Sequence, residues 1–432
     1  MRPLYPSAHH DRFSHSLGVY HLGSIAFRHL KHNSRSDFSE INGDDWNRYE
    51  ITFQIACLLH DCAHAPFSHI FEHYYKRHNG DPEYLDNTIR EASNSAEFNS
   101  DYARMLPPAP HEVASAVILL RHFRKKIESL GGDPLLAARM ITGCQHFPVS
   151  NDQHRLENCL ILLLNGKAID VDKLDYIIRD TWASGVNNAS IDVHRLLTAL
   201  RLAWHENRLV LAFNKSALSV VKNVVDGRNF LYQWIYSHHT VVYNKYILDA
   251  AVNKLARILS KNSATEFLDG FFSLDALQQS IDVNGTTAYL PSDGDLIYLL
   301  KRYKDQIEDA REWLSRKYDR VPLWKSYPEY KLIFEGIGAE EAMKIGLIAE
   351  EQLENSGIGP TSDTPFMVCK VETKTVSIST SDLFIDILNK VLSYTKLFEQ
   401  DGKGVPDYFY VYVPKECGGY KDDFIGRLRN LI

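Results

Sequence analysis

Apolar residues recur at helical spacing through most of the chain. "YEITFQIACLLH" sets Ile51, Ile55, Leu58 and Leu59 on one stripe and predicts a helix running to His60–Asp61. "HEVASAVILLRHFRKKIESLGG" predicts another, with basic residues near its end and a glycine stop. "DPLLAARMITGCQHF" opens on an aspartate cap followed by proline. "LENCLILLL" and "DVDKLDYIIRDTW" follow as helices, and residues 192–202, 217–260, 294–318 and 339–354 also read as helical. Pro66 forces a break after Asp61, because the residue before a proline is pushed out of the helical region. "PFSHIFEHYY" then predicts a new helix with proline in its first turn, and residues 31–49 and 79–110 are polar and read as loops or insertions.

The character changes after about residue 356. "NSGIGPTSDTP" is a linker by composition, while "FMVCKVETKTVSIS" and "YFYVYVPK" alternate aromatic and β-branched residues and predict strands. Between them, "SDLFIDILNKVLSYTKLF" predicts an amphipathic helix with a serine cap. The expected architecture is mainly α, with a small α+β module at the end of the chain.

Composition narrows the function. The net charge of −7 argues against general adsorption to nucleic acid or acidic membranes, though a local basic pocket for phosphates remains open to it. The apolar runs are too short to span a bilayer, no secretory signal opens the chain, and the six cysteines lack zinc-ribbon spacing, so a cytoplasmic location with reduced thiols is the expectation. Of 19 histidines, 15 lie in the first 154 residues, which points to a metal or phosphate site in that part. "LLHDCAHAPFSH" concentrates three of them, and a distorted helix end at His60–Asp61 would let two adjacent side chains reach one ion or two neighbouring ions.

"HHDRFSHSLGVYHLG", "LLHDCAHAPFSH" and "NGKAIDVDKLDYIIRD", in that order, resemble the H…HD…D signature of the HD-domain phosphohydrolases. The match is closest to the deoxynucleoside triphosphate triphosphohydrolase branch, to which the dGTPase-like and sterile-alpha-motif HD enzymes belong. It is strong over residues 4–24, 51–75 and 165–186, and weaker around 111–118. The resemblance implies a helical HD core over residues 1–190, a helical extension over 191–355 completing a nucleotide pocket, and the α+β module over 356–432.

The resemblance also implies metal ligands at His15, His60, Asp61 and Asp172. "VDKLDYIIRD" offers Asp175 as a second candidate for the last place. On a helical wheel Asp172, Tyr176 and Asp180 share one face, whereas Asp175 sits four before Arg179 and suits an ion pair, so Asp172 is preferred. The expected cofactor is a divalent ion, one of Mn, Mg, Fe, Ni, Co or Zn. His69 is implied as general acid, with Glu72 three residues on as its partner. Arg12, His64, His111 and Lys173 match positions near the nucleotide phosphates, and Tyr176 and Asp180 match positions near the sugar. His111 with Glu112 also reads as a helix N-terminus. Tyr243, Lys245 and His239, in "WIYSHHTVVYNKY", are further candidates for the pocket wall, while His9, His10, His21 and His73 match no ligand position.

The implied reaction is hydrolysis of a dNTP to deoxynucleoside and triphosphate by attack of metal-activated water at the α-phosphorus, in a homo-oligomer. The alternatives are an HD phosphohydrolase acting on another nucleotide or phosphoester, and a non-catalytic nucleotide-binding regulator. One departure bears on the sugar. The family places a glutamine-bearing segment ahead of the first histidine motif, and "MRPLYPSAHHDRF" is already inside the motif block. Either the start is truncated or that wall is missing, so deoxyribose selection follows less directly than metal binding.

Overall fold

The computed structural model describes residues 4–34, 43–75, 81–186, 191–260, 264–283, 285–372, 383–388, 390–398 and 405–431. Twelve helices form the part that concerns the site: α1 (Arg12–Ser34), α2 (Gly43–Leu59), α3 (Tyr84–Ser93), α4 (Ala96–Tyr102), α5 (Pro110–Ile118), α6 (Arg124–Ser129), α7 (Pro134–Thr142), α8 (Asp152–Leu164), α9 (Val171–Ser184), α10 (Val193–Thr198), α11 (Leu218–Phe230) and α12 (His239–Leu259). Caps account for several of their boundaries. Asp133 accepts from the backbone N–H groups of Leu135 and Leu136 to start α7, and Gly143, at φ 71°, ends it. Glu112 in the first turn of α5 reaches back to the Ala109 N–H at 2.8 Å. Between α5 and α6 the chain widens into one π-helical segment, Leu119–Phe123.

Helix α1 packs across α2 and α9. A Cβ on Gly23 would sit 2.7 Å from Cys57 Sγ, and one on Gly18 would sit 1.9 Å from Asp175 Oδ1, so both contacts depend on glycine. Phe27, Phe53, Leu160 and Leu174 lie in the continuous apolar core beneath. A second core surrounds Trp324, Tyr330 and the strand Tyr408–Pro414.

Further helices follow α12, and nine strands lie among the described residues. β1 (Leu200–His205) and β2 (Arg208–Asn214) form a hairpin whose turn residues, Glu206 and Asn207, both have positive φ. β3 (Ile281–Val283) pairs with β4 (Thr286–Ala288). β5 (Arg320–Pro322) and β6 (Met367–Val371) flank β9 (Tyr408–Pro414), all antiparallel. β7 (Phe384–Ile387) runs parallel to β2, in register Ala212 to Phe384, and turns back into β8 (Lys390–Ser393).

The mainly helical expectation agrees with this structure, and five local expectations do not. The helix expected over 192–202 stops at Thr198, because Asn33 Nδ2 takes the carbonyls of Thr198 and Leu200 at 2.9 and 2.7 Å and the chain extends into β1. Where an amphipathic helix is expected over 381–398, the described residues form β7, β8 and one short turn, Tyr394–Leu397, because the open edge of β2 supplies pairing that outweighs helical propensity; residues 381, 382 and 389 lie outside the described residues. Residues 66–75 form two short 3₁₀ turns, Ser68–Ile70 and Glu72–Tyr74, since Phe67 and Ser68 both sit at φ 57°. The polar stretch 79–110 contains α3 and α4, whose apolar faces are buried at Leu85, Ile89 and Phe98. The loop expected over 31–49 is helical at both ends, since α1 runs on to Ser34 and α2 begins at Gly43, where Trp46 and Tyr49 are buried; its residues 35–42 lie outside the described residues, as do 373–379 of the first predicted strand.

Candidate active site

Helix α2 ends at Leu59, and its unpaired last carbonyls need partners. One of them, Cys57 O, accepts from His60 Nδ1 at 2.8 Å. A carbonyl only accepts, so Nδ1 carries the hydrogen and the lone pair is at Nε2. That atom is buried, has no hydrogen-bond partner, and lies 3.5 Å from Asp172 Oδ1 and 3.7 Å from Asp61 Oδ1. His15, from α1, is held in the same way: its Nδ1 faces Asp175 Oδ2 at 2.7 Å, and its Nε2 lies 3.0 Å from Asp172 Oδ1 and 3.7 Å from Asp61 Oδ2. Asp172 sits in the first turn of α9. That turn is capped by Asp170, which accepts from the Lys173 backbone N–H at 2.6 Å and the Lys173 ammonium at 2.7 Å. The Arg12 guanidinium bonds Asp61 Oδ2.

These residues fit a divalent cation. His15, His60 and Asp172 each bring one ligand atom within 4.8 Å of the others, and Asp61 adds oxygens close to both rings. The electrostatics agree. Burial opposes charge on His15, yet its hydrogen bonds to Asp172 and Asp175 raise its pKa to about 10. Burial would likewise raise the Asp172 carboxyl, but its hydrogen bond to His15 and the His60 imidazole beside it hold it well below the usual carboxylate range. Buried negative charge here demands a cation, which a metal ion can supply in place of the proton on an imidazole. Beside the donors lies a polar cavity of about 30 Å³, lined by His60, His111, Asn165, Asp172 and Lys173, large enough for one water.

A second group adjoins the first. Glu72 Oε1 faces three imidazoles: His69 Nδ1, His111 Nδ1 at 2.9 Å and His64 Nε2 at 3.3 Å. The rings of His64 and His111 stack at 4.2 Å. Burial alone would raise the Glu72 carboxyl; hydrogen bonds from His111 and His69 overcome it and lower its pKa. His64 moves the other way, well below the ordinary histidine value, through burial and the neighbouring Arg12 and His111 charges. His69 is the open member, with 59% of its side chain exposed. The two groups meet where His111 Nε2 approaches Asp61 Oδ1 at 3.8 Å.

Further along α9, Tyr176 accepts from Arg228 Nε at 3.2 Å. Asp180 accepts from the Tyr236 hydroxyl and lies 3.0 Å from His10 Nε2. The structure thus brings Arg12, His15, His60, Asp61, His64, His69, Glu72, His111 and Asp172 together, and sets Lys173, Tyr176 and Asp180 along one helix beside them. Tyr243 does not join them: its hydroxyl donates to Glu312 at 2.8 Å and accepts from Arg320 at 3.1 Å in the second core. His239 likewise packs near Tyr410, and Lys245 is exposed. Sequence reasoning missed Asp175 as the partner of His15, because its pairing with Arg179, at 2.8 and 2.9 Å, is also real. It missed Tyr236 because the π-helical turn Leu231–Tyr236 shifts the register of that aromatic segment. Nothing in the pattern around Arg228 or His10 marked them.

Residues 12–164 match the family model of the HD domain. Over that stretch the chain is similar to the HD domain. Deoxynucleoside triphosphate triphosphohydrolase SAMHD1 of Gallus gallus is 23% identical over 404 residues, 89% of this chain and 57% of that protein. The Homo sapiens protein of the same name is 24% identical over 420 residues, 89% of this chain and 56% of that protein. Uncharacterized protein MG461 of Mycoplasma genitalium is 27% identical over 235 residues, 54% of this chain and 46% of that protein. The chain spans about half the length of these curated relatives. The HD match runs through α1, α2, α5 and α8 and includes His15, His60 and Asp61; Asp172 lies just beyond it.

Proposed function

We propose that the chain is a metal-dependent phosphohydrolase that converts a deoxynucleoside triphosphate and water to deoxynucleoside and triphosphate. The observation that supports it most directly is the approach of His111, one of three histidines around the Glu72 carboxylate, to Asp61 of a four-residue donor set. His15, His60, Asp61 and Asp172 would hold the divalent ion. When bound, such an ion supplies charge stabilisation at a phosphoryl oxygen and acidifies water. Water oxygen bonds to the α-phosphorus, the bond from that phosphorus to the sugar's 5′ oxygen breaks, and the leaving oxygen takes a proton. His69, oriented by Glu72, is the donor, because it alone in that cluster is open to a ligand. Arg12 and Lys173 supply positive charge for phosphates, with His64 and His111 lining the same end. Tyr176 and Asp180 bound the sugar. The likeness of 89% of the chain to proteins named dNTP triphosphohydrolases supports this substrate class.

A second reading, hydrolysis of another nucleotide or phosphoester, draws on one observation: Lys173 is already paired with Asp170, and Asp180 with Tyr236 and His10. One experiment separates the two. The protein is incubated with the four dNTPs and four NTPs and Mn²⁺ or Mg²⁺ in ¹⁸O-water, and the products are resolved by chromatography and mass spectrometry. Deoxynucleoside with ¹⁸O in the triphosphate supports the first reading; a nucleoside mono- or diphosphate as initial product overturns it. The same reading carries a cytoplasmic homo-oligomer, checked by light scattering and cell fractionation. Among the described residues no helix is long and apolar enough to cross a membrane.

A further inference from the structure

Away from the HD centre, three segments that share no residue with it bring Glu97, His146 and His154 together. Glu97 is in the first turn of α4, His146 follows α7, and His154 is in the first turn of α8. One ligand atom from each lies within 4.8 Å of the others. We propose that these three side chains form a second cation site, selective for zinc or another divalent ion that favours nitrogen ligands, which ties α4 to α8.

The position of His146 is built, not incidental. Its backbone N–H donates to Asn158 Oδ1 at 2.7 Å, and its carbonyl accepts from Asn158 Nδ2 at 3.2 Å. Its ring is 8% exposed, with Nε2 2.7 Å from Glu157 Oε2. Glu157 is itself buried, and its other oxygen accepts from Gln153 Nε2 at 2.8 Å and Tyr49 Oη at 3.3 Å. That contact is close but makes no hydrogen bond, so it leaves the other ring nitrogen to meet a partner. That nitrogen is Nδ1, 3.0 Å from Glu97 Oε1. His154 is set up in parallel. Its Nδ1 faces Ser150 Oγ at 3.3 Å, and its Nε2 lies 3.7 Å from the same Glu97 oxygen. The two rings stack at 4.0 Å with 16° between their planes.

Size and chemistry select the ion. Ligands about 2.0–2.1 Å from zinc in a tetrahedron stand about 3.3 Å from one another, and the two measured separations fall on either side of that value. Two imidazoles and one carboxylate are a poor set for magnesium or calcium, which take oxygen ligands, and a good one for zinc. Arg139 does not occupy the place. Its guanidinium is 3.8 Å from Glu97 Oε1 but bonds Asp101 Oδ2 at 2.9 Å and the Cys144 carbonyl at 3.2 Å. With Glu97 57% and His154 19% exposed, an ion has a path in and a fourth position open to water. The competing arrangement is a protonated His146 bridging Glu97 and Glu157. It gives the Nε2 of His154 no role, and so predicts that His154 is dispensable for binding.

The test uses the full chain, stripped with a chelator, and zinc alone as the probe. It starts from an Asp61→Ala background, so that the HD centre's contribution is weakened. After dialysis against buffered Zn²⁺, bound metal is counted by elemental mass spectrometry, and the melting temperature is measured with and without zinc. The expected result is one tightly held equivalent and a zinc-dependent rise in melting temperature. Both are lost on adding His154→Ala, and affinity falls at least tenfold on adding Glu97→Gln. Glu97 is exposed enough that its replacement keeps the fold, as circular dichroism will check, so the Gln variant decides should the Ala variant unfold. Equal zinc content in the background and a folded double variant overturns the proposal.

Discussion

The two halves of the candidate active site use the same residue types to opposite ends. In the Asp172 group each histidine has one nitrogen committed, His15 to Asp175 and His60 to the Cys57 carbonyl, and the other turned inward among carboxylates. In the Glu72 group one carboxylate oxygen is shared by three rings, one of them largely exposed. The first arrangement fixes tautomers and leaves lone pairs, which suits holding an ion. The second leaves protons to be redistributed among near neighbours, which suits passing one to a leaving group. The backbone follows the same division. The first group rides on α1, on the end of α2 and on α9, whereas His69 and Glu72 sit on 3₁₀ turns entered through two residues at positive φ.

The division breaks most completely at Asp61. Asp61→Ala removes a carboxylate beside both ring nitrogens and strands the Arg12 guanidinium. Bound metal in the HD centre and turnover are expected to disappear together. Metal content and product formation measured on one preparation check this. Retention of both would detach the Asp172 group from the reaction.

His69→Ala sharpens the contrast from the other side. The ring touches Glu72 and not the Asp172 group, so metal content should stay at the wild-type value while kcat falls about 10²–10⁴-fold, the usual range for a lost acid–base group. A loss below threefold across the pH range would make His69 a bystander.

Asp175→Asn probes how far ion binding depends on the ring behind the ligand. The amide accepts less strongly from His15 Nδ1 and breaks the pair with Arg179. Metal affinity should fall about 10–100-fold, as for other groups that orient a ligand, with kcat at saturating metal much less changed. Gly18→Ala should do the same by a different route, since its methyl group would displace that carboxylate. A titration of activity against free Mn²⁺ distinguishes a shifted midpoint from a lowered plateau.

How much of this was legible follows the same line. The helices around the Asp172 group carry their own caps and stripes, and the family resemblance, with the helical wheel for Asp172, pointed to His15, His60, Asp61 and Asp172, which the structure brings together. What escaped depended on contacts distant in sequence. Asp175 is four residues from Arg179 and 160 from His15, and only the nearer partner shows in the pattern. Phe384–Ile387 and Lys390–Ser393 have helical composition and become strands because β2, some 170 residues earlier, offers an edge. The π-helical turn at 231–236 moved an aromatic face by part of a turn, which brought Tyr236 rather than Tyr243 to α9. The left-handed pair at Phe67 and Ser68 likewise has no glycine to announce it.

The smallest effect expected is at Tyr176, which belongs to neither group. It stands one helical turn after Asp172, so a nucleotide whose α-phosphate meets the metal donors brings its sugar against this ring. The hydroxyl accepts from Arg228 Nε, and the Arg228 guanidinium lies over the Tyr232 ring at 5.1 Å, so the ring is held from behind. Two substitutions separate shape from hydrogen bonding. Tyr176→Phe keeps the ring and loses the bond to Arg228; Tyr176→Ala loses both and opens space where a 2′-hydroxyl would sit. If the ring excludes that hydroxyl, the ratio of kcat/KM for dGTP over GTP should survive in the Phe variant and fall about tenfold in the Ala variant, with metal content unchanged in each. Such a fall is the size expected from a shape contact against one added group. Equal loss in both variants would assign sugar choice to the Arg228 bond. No loss in either would place it outside α9. A wild type that hydrolyses dGTP and GTP equally well would favour the broader phosphoester reading, while leaving the contrast between ion holding and proton transfer intact.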